Sequence, residues 1–183
     1  MRQVSGHEFT RAGKSAINSG LQPLHMAKPS RNTKPENIQQ GPRTFFVTSK
    51  TIIGCALLQT ERMANLFIDV LRTYVAAKRF KVHDFVVMPN HFHLLITLDG
   101  DMTVEKAVQL IKGNFSYRAK KELCYQGEIW QRGFSDERVW DRESFLRHRS
   151  YIEDNPVKAG LASSAETYPY GSSFFRQQRA SRA

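Results

Sequence analysis

His91 and His93 stand one residue apart in the run Val86-Val87-Met88-Pro89-Asn90-His91-Phe92-His93-Leu94-Leu95-Ile96-Thr97-Leu98, which reads as strand, turn and strand. Successive strand side chains point to opposite faces, so both imidazoles face one way while Phe92, Leu94, Ile96 and Leu98 face the other. Such a strand can pack on a core with one face and present two nitrogen donors on the other. Two convergent imidazoles on a rigid strand suit a divalent metal. His-x-His pairs also occur in cupins, in other metal proteins and as buried or surface histidines, so the pair alone leaves its chemistry open.

A second group is Ser144, His148, Tyr151 and Asn155, spaced four, three and four so that one face of a helix carries them all. An inward helix face is ordinarily apolar, and read alone this face can equally be plain polar surface. A phenol has a reference pKa of about 10 and is a poor nucleophile near neutral pH. A tyrosine used for chemistry therefore needs a polarised electrophile or help in losing its proton. Tyr117 is the rival nucleophile. It lies off the apolar stripe of its helix with Lys106 and Lys120, which suits base stacking or a backbone contact in a basic groove. Lys112, Arg118, Lys121, Arg132 and Arg138 can hold phosphates, although each can equally be a solubilising charge.

The elements that must position these residues follow from periodicity. Thr44 to Thr48 is a short β-rich run, and a helix follows Thr60 as N-cap, with Met63, Phe67, Val70, Leu71, Tyr74 and Val75 at helical spacing. Phe80 to Met88 reads as a strand, Pro89-Asn90 as a turn and His91 to Leu98 as the antiparallel neighbour. The next helix runs from Val104 to about Leu123 with Val104, Ala107, Val108, Ile111 and Phe115 as its apolar stripe. Phe134 to Val139 is extended, with Trp130 and Phe134 serving core or hinge packing, and a last helix spans about Asp141 to Asp154. Beyond Leu161 the chain reads as loop, ending in a basic tail with Arg176, Arg179 and Arg182. This order suggests an α+β sandwich of helices on an antiparallel sheet.

Composition narrows the partners. The 183 residues suffice for one domain with a real core, and 27 Lys and Arg against 17 Asp and Glu give a net charge of +10 and a pI near 9.9. A polyanionic partner, nucleic acid or an anionic membrane surface, fits that balance. No apolar stretch approaches the roughly 20 residues of a membrane span, and Met1 to Gly20 lacks a signal peptide's apolar segment, which gives a cytoplasmic, nucleoid-associated expectation with no membrane partner. Cys55 and Cys124 belong to no Cys-x-x-Cys unit and read as reduced thiols. Residues 1–42 form a flexible basic tail in this reading, 43–163 the folded domain and 164–183 a C-terminal extension with a basic tail.

Met88-Pro89-Asn90-His91-Phe92-His93-Leu94-Leu95, Trp130-Gln131-Arg132-Gly133-Phe134 and Tyr151-Ile152-Glu153-Asp154-Asn155-Pro156-Val157-Lys158-Ala159-Gly160-Leu161, in that order, resemble the REP-associated tyrosine transposases. These belong to the single-tyrosine HUH transposases of small insertion sequences, in which U is a hydrophobic residue, here Phe92. The resemblance covers about Thr44 to Ser173. It implies a ferredoxin-like (RRM-like) domain with the HUH motif on a central strand, and a helix that brings a tyrosine to it. Carried over by position, His91 and His93 are metal ligands, Tyr151 the nucleophile and Asn155 the third, amide ligand. His148, one turn from Tyr151, is a reserve candidate for a metal or phosphate contact. Asn155 precedes Pro156, which biases it away from helical geometry.

The implied activity is cleavage and rejoining of hairpin-containing single-stranded DNA through a 5′-phosphotyrosine link with Mg²⁺ or Mn²⁺, by a monomer or a homodimer that exchanges the tyrosine helix. A domesticated copy that binds the REP-like hairpin without cutting is the alternative. A histidine-triad nucleotide hydrolase would need a third histidine where Leu95 stands, and a non-enzymatic single-strand binding module leaves His91, His93, Tyr151 and Asn155 without a common purpose.

Overall fold

The structure, a computed structural model, describes residues 41–52 and 55–182. Most of the expected N-terminal tail (1–40) and Ala183 lie outside the described residues. Burial alternates along β1 (Arg43–Lys50), as a strand with a core on one face demands. The Thr60 hydroxyl accepts from the Met63 amide and starts α1 (Glu61–Ala76). Pro89-Asn90 then joins β2 (Lys81–Met88) to β3 (His91–Leu98). Thr103 caps α2 (Val104–Leu123) in the same way as Thr60, and β4 (Ser135–Val139) follows. Asp141 and Ser144 form a reciprocal capping box at the start of α3 (Arg142–Lys158). Ser144 is thereby used in helix initiation.

The four strands run in the order β2-β3-β1-β4 with every neighbouring pair antiparallel. With helices packed on it, this sheet is the α+β, ferredoxin-like arrangement expected, and β3 is an interior strand. Phe92, Leu94, Ile96 and Leu98 join Phe45, Val47, Phe67, Ile111 and Phe115 in a core between the sheet and α1 and α2. Leu95, on the face of His91 and His93, joins Val86, Met88, Val139, Ile152 and Tyr168 in a second apolar cluster. Each such buried side chain contributes roughly 1.5–3 kcal/mol, enough to seat α3 on the face that carries the imidazoles.

Two segments depart from the sequence reading. α3 does not stop at Asp154 but continues through Asn155 and Pro156 to Lys158. Pro156 lies in the final turn, so it forfeits only one backbone bond, and the Ala159 and Leu161 amides close that end on the Asn155 and Pro156 carbonyls. The stretch beyond Leu161 is not loop alone. It contains a 3₁₀ turn at Ala165–Thr167 and a helix, α4 (Ser172–Ala180), with Arg176 and Arg179 on the helix. The Val87 amide donates to the Tyr170 carbonyl and the Phe85 amide to Ser172 Oγ, so this segment pairs with the outer edge of β2.

Tyr168 donates from its hydroxyl to the Val87 carbonyl at 2.8 Å, and burial, with Tyr170 nearby, pushes its pKa up to about 12. The folded state thus holds this proton more tightly than the unfolded chain, where the phenol titrates near 10. Its contribution is complete below pH 10 and is lost as pH rises through 12. Melting curves across that window should fall more steeply for the native chain than for Tyr168→Phe; parallel curves would remove Tyr168 as the cause.

Candidate active site

Strand register brings a second set of side chains to the imidazoles. Thr48 on β1 lies opposite His93, and Lys50 opposite His91. Thr48 Oγ1 is 2.7 Å from His93 Nδ1, which holds that ring in place. His93 Nε2 is buried and has no hydrogen-bond partner. Burial above all, then the charges of His91 and Lys50, pulls the His93 pKa down to about 3, so the ring is neutral at physiological pH. In the tautomer whose Nδ1–H donates to Thr48 Oγ1, Nε2 presents an unpartnered lone pair.

His91 Nδ1 is 2.7 Å from Asn90 Oδ1, and its ring meets that of His93 edge to face at 4.8 Å between centroids. Burial lowers its pKa, opposed by a hydrogen bond with the Asn155 side chain. The helical geometry that persists past Asp154 makes this possible. Asn155 Nδ2 donates to the Tyr151 carbonyl at 3.2 Å, which leaves its amide oxygen free for the imidazole side. The main chain beside His91 is braced as well, because the Asn90 carbonyl accepts from the Thr51 amide and the Pro89 carbonyl from the Leu58 amide.

Tyr151 is 46% exposed, with its ring edge-on to His93 at 5.1 Å and to Phe46 at 5.7 Å. Phe46 stacks between His93 at 5.4 Å and His148 at 4.4 Å. His148 is buried, and its Nε2 lies 3.4 Å from Glu137 Oε1 on β4 without hydrogen-bond geometry. A single chain therefore gathers His91, His93, His148, Tyr151 and Asn155 on one face of the sheet.

A polar network links α3 to β2 and α4. Asp84 on β2 is fully buried and accepts from Arg149 Nε at 2.8 Å, from Ser172 Oγ at 3.2 Å and from Arg176. Arg176 also reaches Glu153 and Ser173. Arg149 and Glu153 lie two residues either side of Tyr151, so β2 and α4 grip the helix around the tyrosine.

The remaining sequence candidates lie elsewhere. Lys112, Tyr117, Arg118 and Lys121 sit on α2, across the sheet from Tyr151. Lys112 Nζ donates to the carbonyls of Gln131 and Gly133, both at 2.9 Å, and burial pulls its pKa down to about 8. Arg118 is bound by Glu122, and Lys121 lies over the exposed Tyr117 ring. Arg138 is wedged between the rings of Phe45 and Trp140 on the α2 side. Arg132 is exposed on the turn before β4, beside Thr48 and Lys50.

Sequence reasoning missed Phe46, Thr48, Lys50, Glu137 and Asp84. Alternation along β1 was a signal for the first three, and an acid inside an apolar strand was one for Asp84.

Among the described residues no three His, Cys, Asp or Glu side chains gather as a metal site. The donors that could hold an ion are therefore His91, His93 and the Asn155 oxygen. Two imidazoles and an amide suit Mn²⁺ better than Mg²⁺, and the unpartnered Nε2 of His93 fits a ligand's role.

The sequence pattern of the family described as Transposase IS200 like matches residues 55–155. The REP-associated tyrosine transposase of Escherichia coli (strain K12) is 31% identical over 140 residues, 75% of this chain and 79% of its own length. Among solved structures, a REP-associated tyrosine transposase bound to a REP hairpin matches with a TM-score of 0.63 and 25% identity, over 81% of this chain and 86% of that one.

Proposed function

Because the chain belongs to the IS200-like transposase family, we propose that it cuts and rejoins hairpin-containing single-stranded DNA, with Tyr151 as the nucleophile. The observation that carries this reading is the approach of the Tyr151 ring to 5.1 Å from His93 within one chain. The relative of known structure is bound to a REP hairpin, and the same class of substrate is proposed here. The Tyr151 oxygen forms a bond to phosphorus, its proton passing to water at the exposed face. The bond from phosphorus to the 3′ oxygen breaks, and that oxygen takes a proton and leaves as a free hydroxyl. Phosphodiester energy is kept in the 5′-phosphotyrosine link, so a second strand's 3′-hydroxyl can reverse the step without ATP.

His91, His93 and Asn155 would hold a divalent ion, which supplies charge neutralisation at the phosphate oxygens in the transition state. Thr48 keeps His93 oriented for that task, and Phe46, itself stacked on His148, covers a face of the ring. All of these groups come from one chain, so the reaction requires no exchange of helices between copies. Thr48→Val is expected to weaken Mn²⁺ binding by about 10–100-fold in a titration of the ion into the protein. Unchanged affinity would separate Thr48 from the ion.

The proposal is tested by incubating the protein with hairpin oligonucleotides bearing single-stranded flanks and Mn²⁺ or Mg²⁺, then resolving the mixture on a denaturing gel. A covalent protein–DNA band is the expected result. Tight hairpin binding with no such band across a broad panel of flanks would instead assign a binding protein that no longer cuts.

A further inference from the structure

We propose that the cleft between the end of β1 and the turn leading into β4 holds a backbone phosphate of the substrate strand next to the one that is cut, with Lys50 and Arg132 as its ligands. This rests on the reading that the substrate is DNA. The cleft has a volume of about 280 Å³ and is lined by Thr48, Lys50, Arg132, Gly133 and Ser135 among others. It adjoins the candidate active site directly, since Thr48 holds His93 and Lys50 lies opposite His91. The field of Lys50 reaches both imidazoles.

The turn that carries Arg132 is built to display it. Lys112 draws the carbonyls of Gln131 and Gly133 toward α2, on either side of Arg132, while the Gln131 amide donates to the Lys50 carbonyl at 3.0 Å. Gly133 has φ +75°, a conformation that strains residues with side chains, so the turn can close there. The residue before Arg132 is thus fastened to the backbone of Lys50.

Both are also spare. Lys112, Arg118, Arg149 and Arg176 are tied to carbonyls or carboxylates. Lys50 and Arg132 are exposed and make no ion pair among the described residues. Two charges with no ion pair among the described residues, flanking a cleft that includes the Thr48 bound to His93, suit an anion, and a DNA strand entering the site must carry phosphates on either side of the scissile one. A second cleft of about 400 Å³, lined by Lys50, Thr51, Asn90 and Gln131, continues past Lys50 on its other side. Lys50 therefore stands where a strand would cross from one cleft to the other.

The test uses the full chain carrying Tyr151→Phe, so that binding is read without cleavage, and a hairpin oligonucleotide with single-stranded flanks. Each flank phosphate is replaced in turn by a neutral methylphosphonate, and affinity is followed by fluorescence anisotropy. One or two linkages beside the cleavage point should each cost about 5–10-fold. Adding Lys50→Gln or Arg132→Gln should cost a similar factor, lower the slope of log affinity against log salt by about 0.7, and make the same linkage nearly indifferent to substitution. Circular dichroism melts should be unchanged, because neither side chain packs.

Penalties that multiply at every linkage would overturn the subsite, as would Gln variants that bind like the parent. Displacement of the Lys50-dependent signal by millimolar inorganic phosphate with no linkage singled out would assign a free-phosphate site instead. If no covalent band forms with the native chain while one linkage remains coupled to Lys50, the cutting chemistry fails and the subsite stands.

Discussion

Tyr151→Phe should abolish the covalent protein–DNA band, by at least about 10³-fold in initial rate, while hairpin affinity stays within about twofold. The phenolic oxygen is the only atom removed, and it is the atom that forms the bond to phosphorus in the proposed step. The ring contacts with His93 and Phe46 involve the aromatic carbons and survive the substitution. Tyr151 is 46% exposed, so loss of its hydroxyl should change unfolding stability by less than about 0.5 kcal/mol. Tyr117→Phe should leave the band intact, because Tyr117 lies on α2 across the sheet from the imidazoles. A band that survives Tyr151→Phe and vanishes with Tyr117→Phe would transfer the nucleophile's role to Tyr117.

Asp84→Ala is expected to cost about 3 kcal/mol in urea unfolding. Removing one member of a buried ion pair typically costs 3–5 kcal/mol. The lower end applies because the Arg149 and Arg176 side chains are 37% and 43% exposed and can turn partly to water once Asp84 is gone. That is a large share of the 5–15 kcal/mol that holds a domain folded. Arg176→Met is the milder variant, since it keeps Arg149 on Asp84 while releasing α4 from Glu153. Under conditions where it remains folded, Arg176→Met should slow adduct formation more than it weakens hairpin binding, because the network acts on the angle of α3 and touches no DNA. Equal effects on both, or none on either, would reduce the network to general stability.

The sequence reading ends the helix at about Asp154, and a residue before proline, here Asn155, is disfavoured in helical geometry. The penalty of a proline in a last turn is small against burial of Ile152 and Pro156 on the sheet, and tertiary packing carried the helix on to Lys158. Asn155 owes its place one turn from Tyr151 to that outcome. The C-terminal stretch misled for a related reason. Its arginines read as a basic tail, yet Arg176 finds a buried carboxylate 92 residues away.

By itself the sequence determined what depends on near neighbours: the period-two alternation that puts His91 and His93 on one face, the cap at Thr60, the Pro89-Asn90 turn, and the helical spacing of His148, Tyr151 and Asn155. The ordered motifs also indicated the family. Only the tertiary structure decided the partners. Register between β1 and β3 set Thr48 on His93 and Lys50 opposite His91, stacking put Phe46 between two imidazoles, and Asp84 drew α3 and α4 together. Periodicity is a property of one segment and survives in the linear chain, whereas register and burial belong to pairs of segments that meet only when the whole sheet closes.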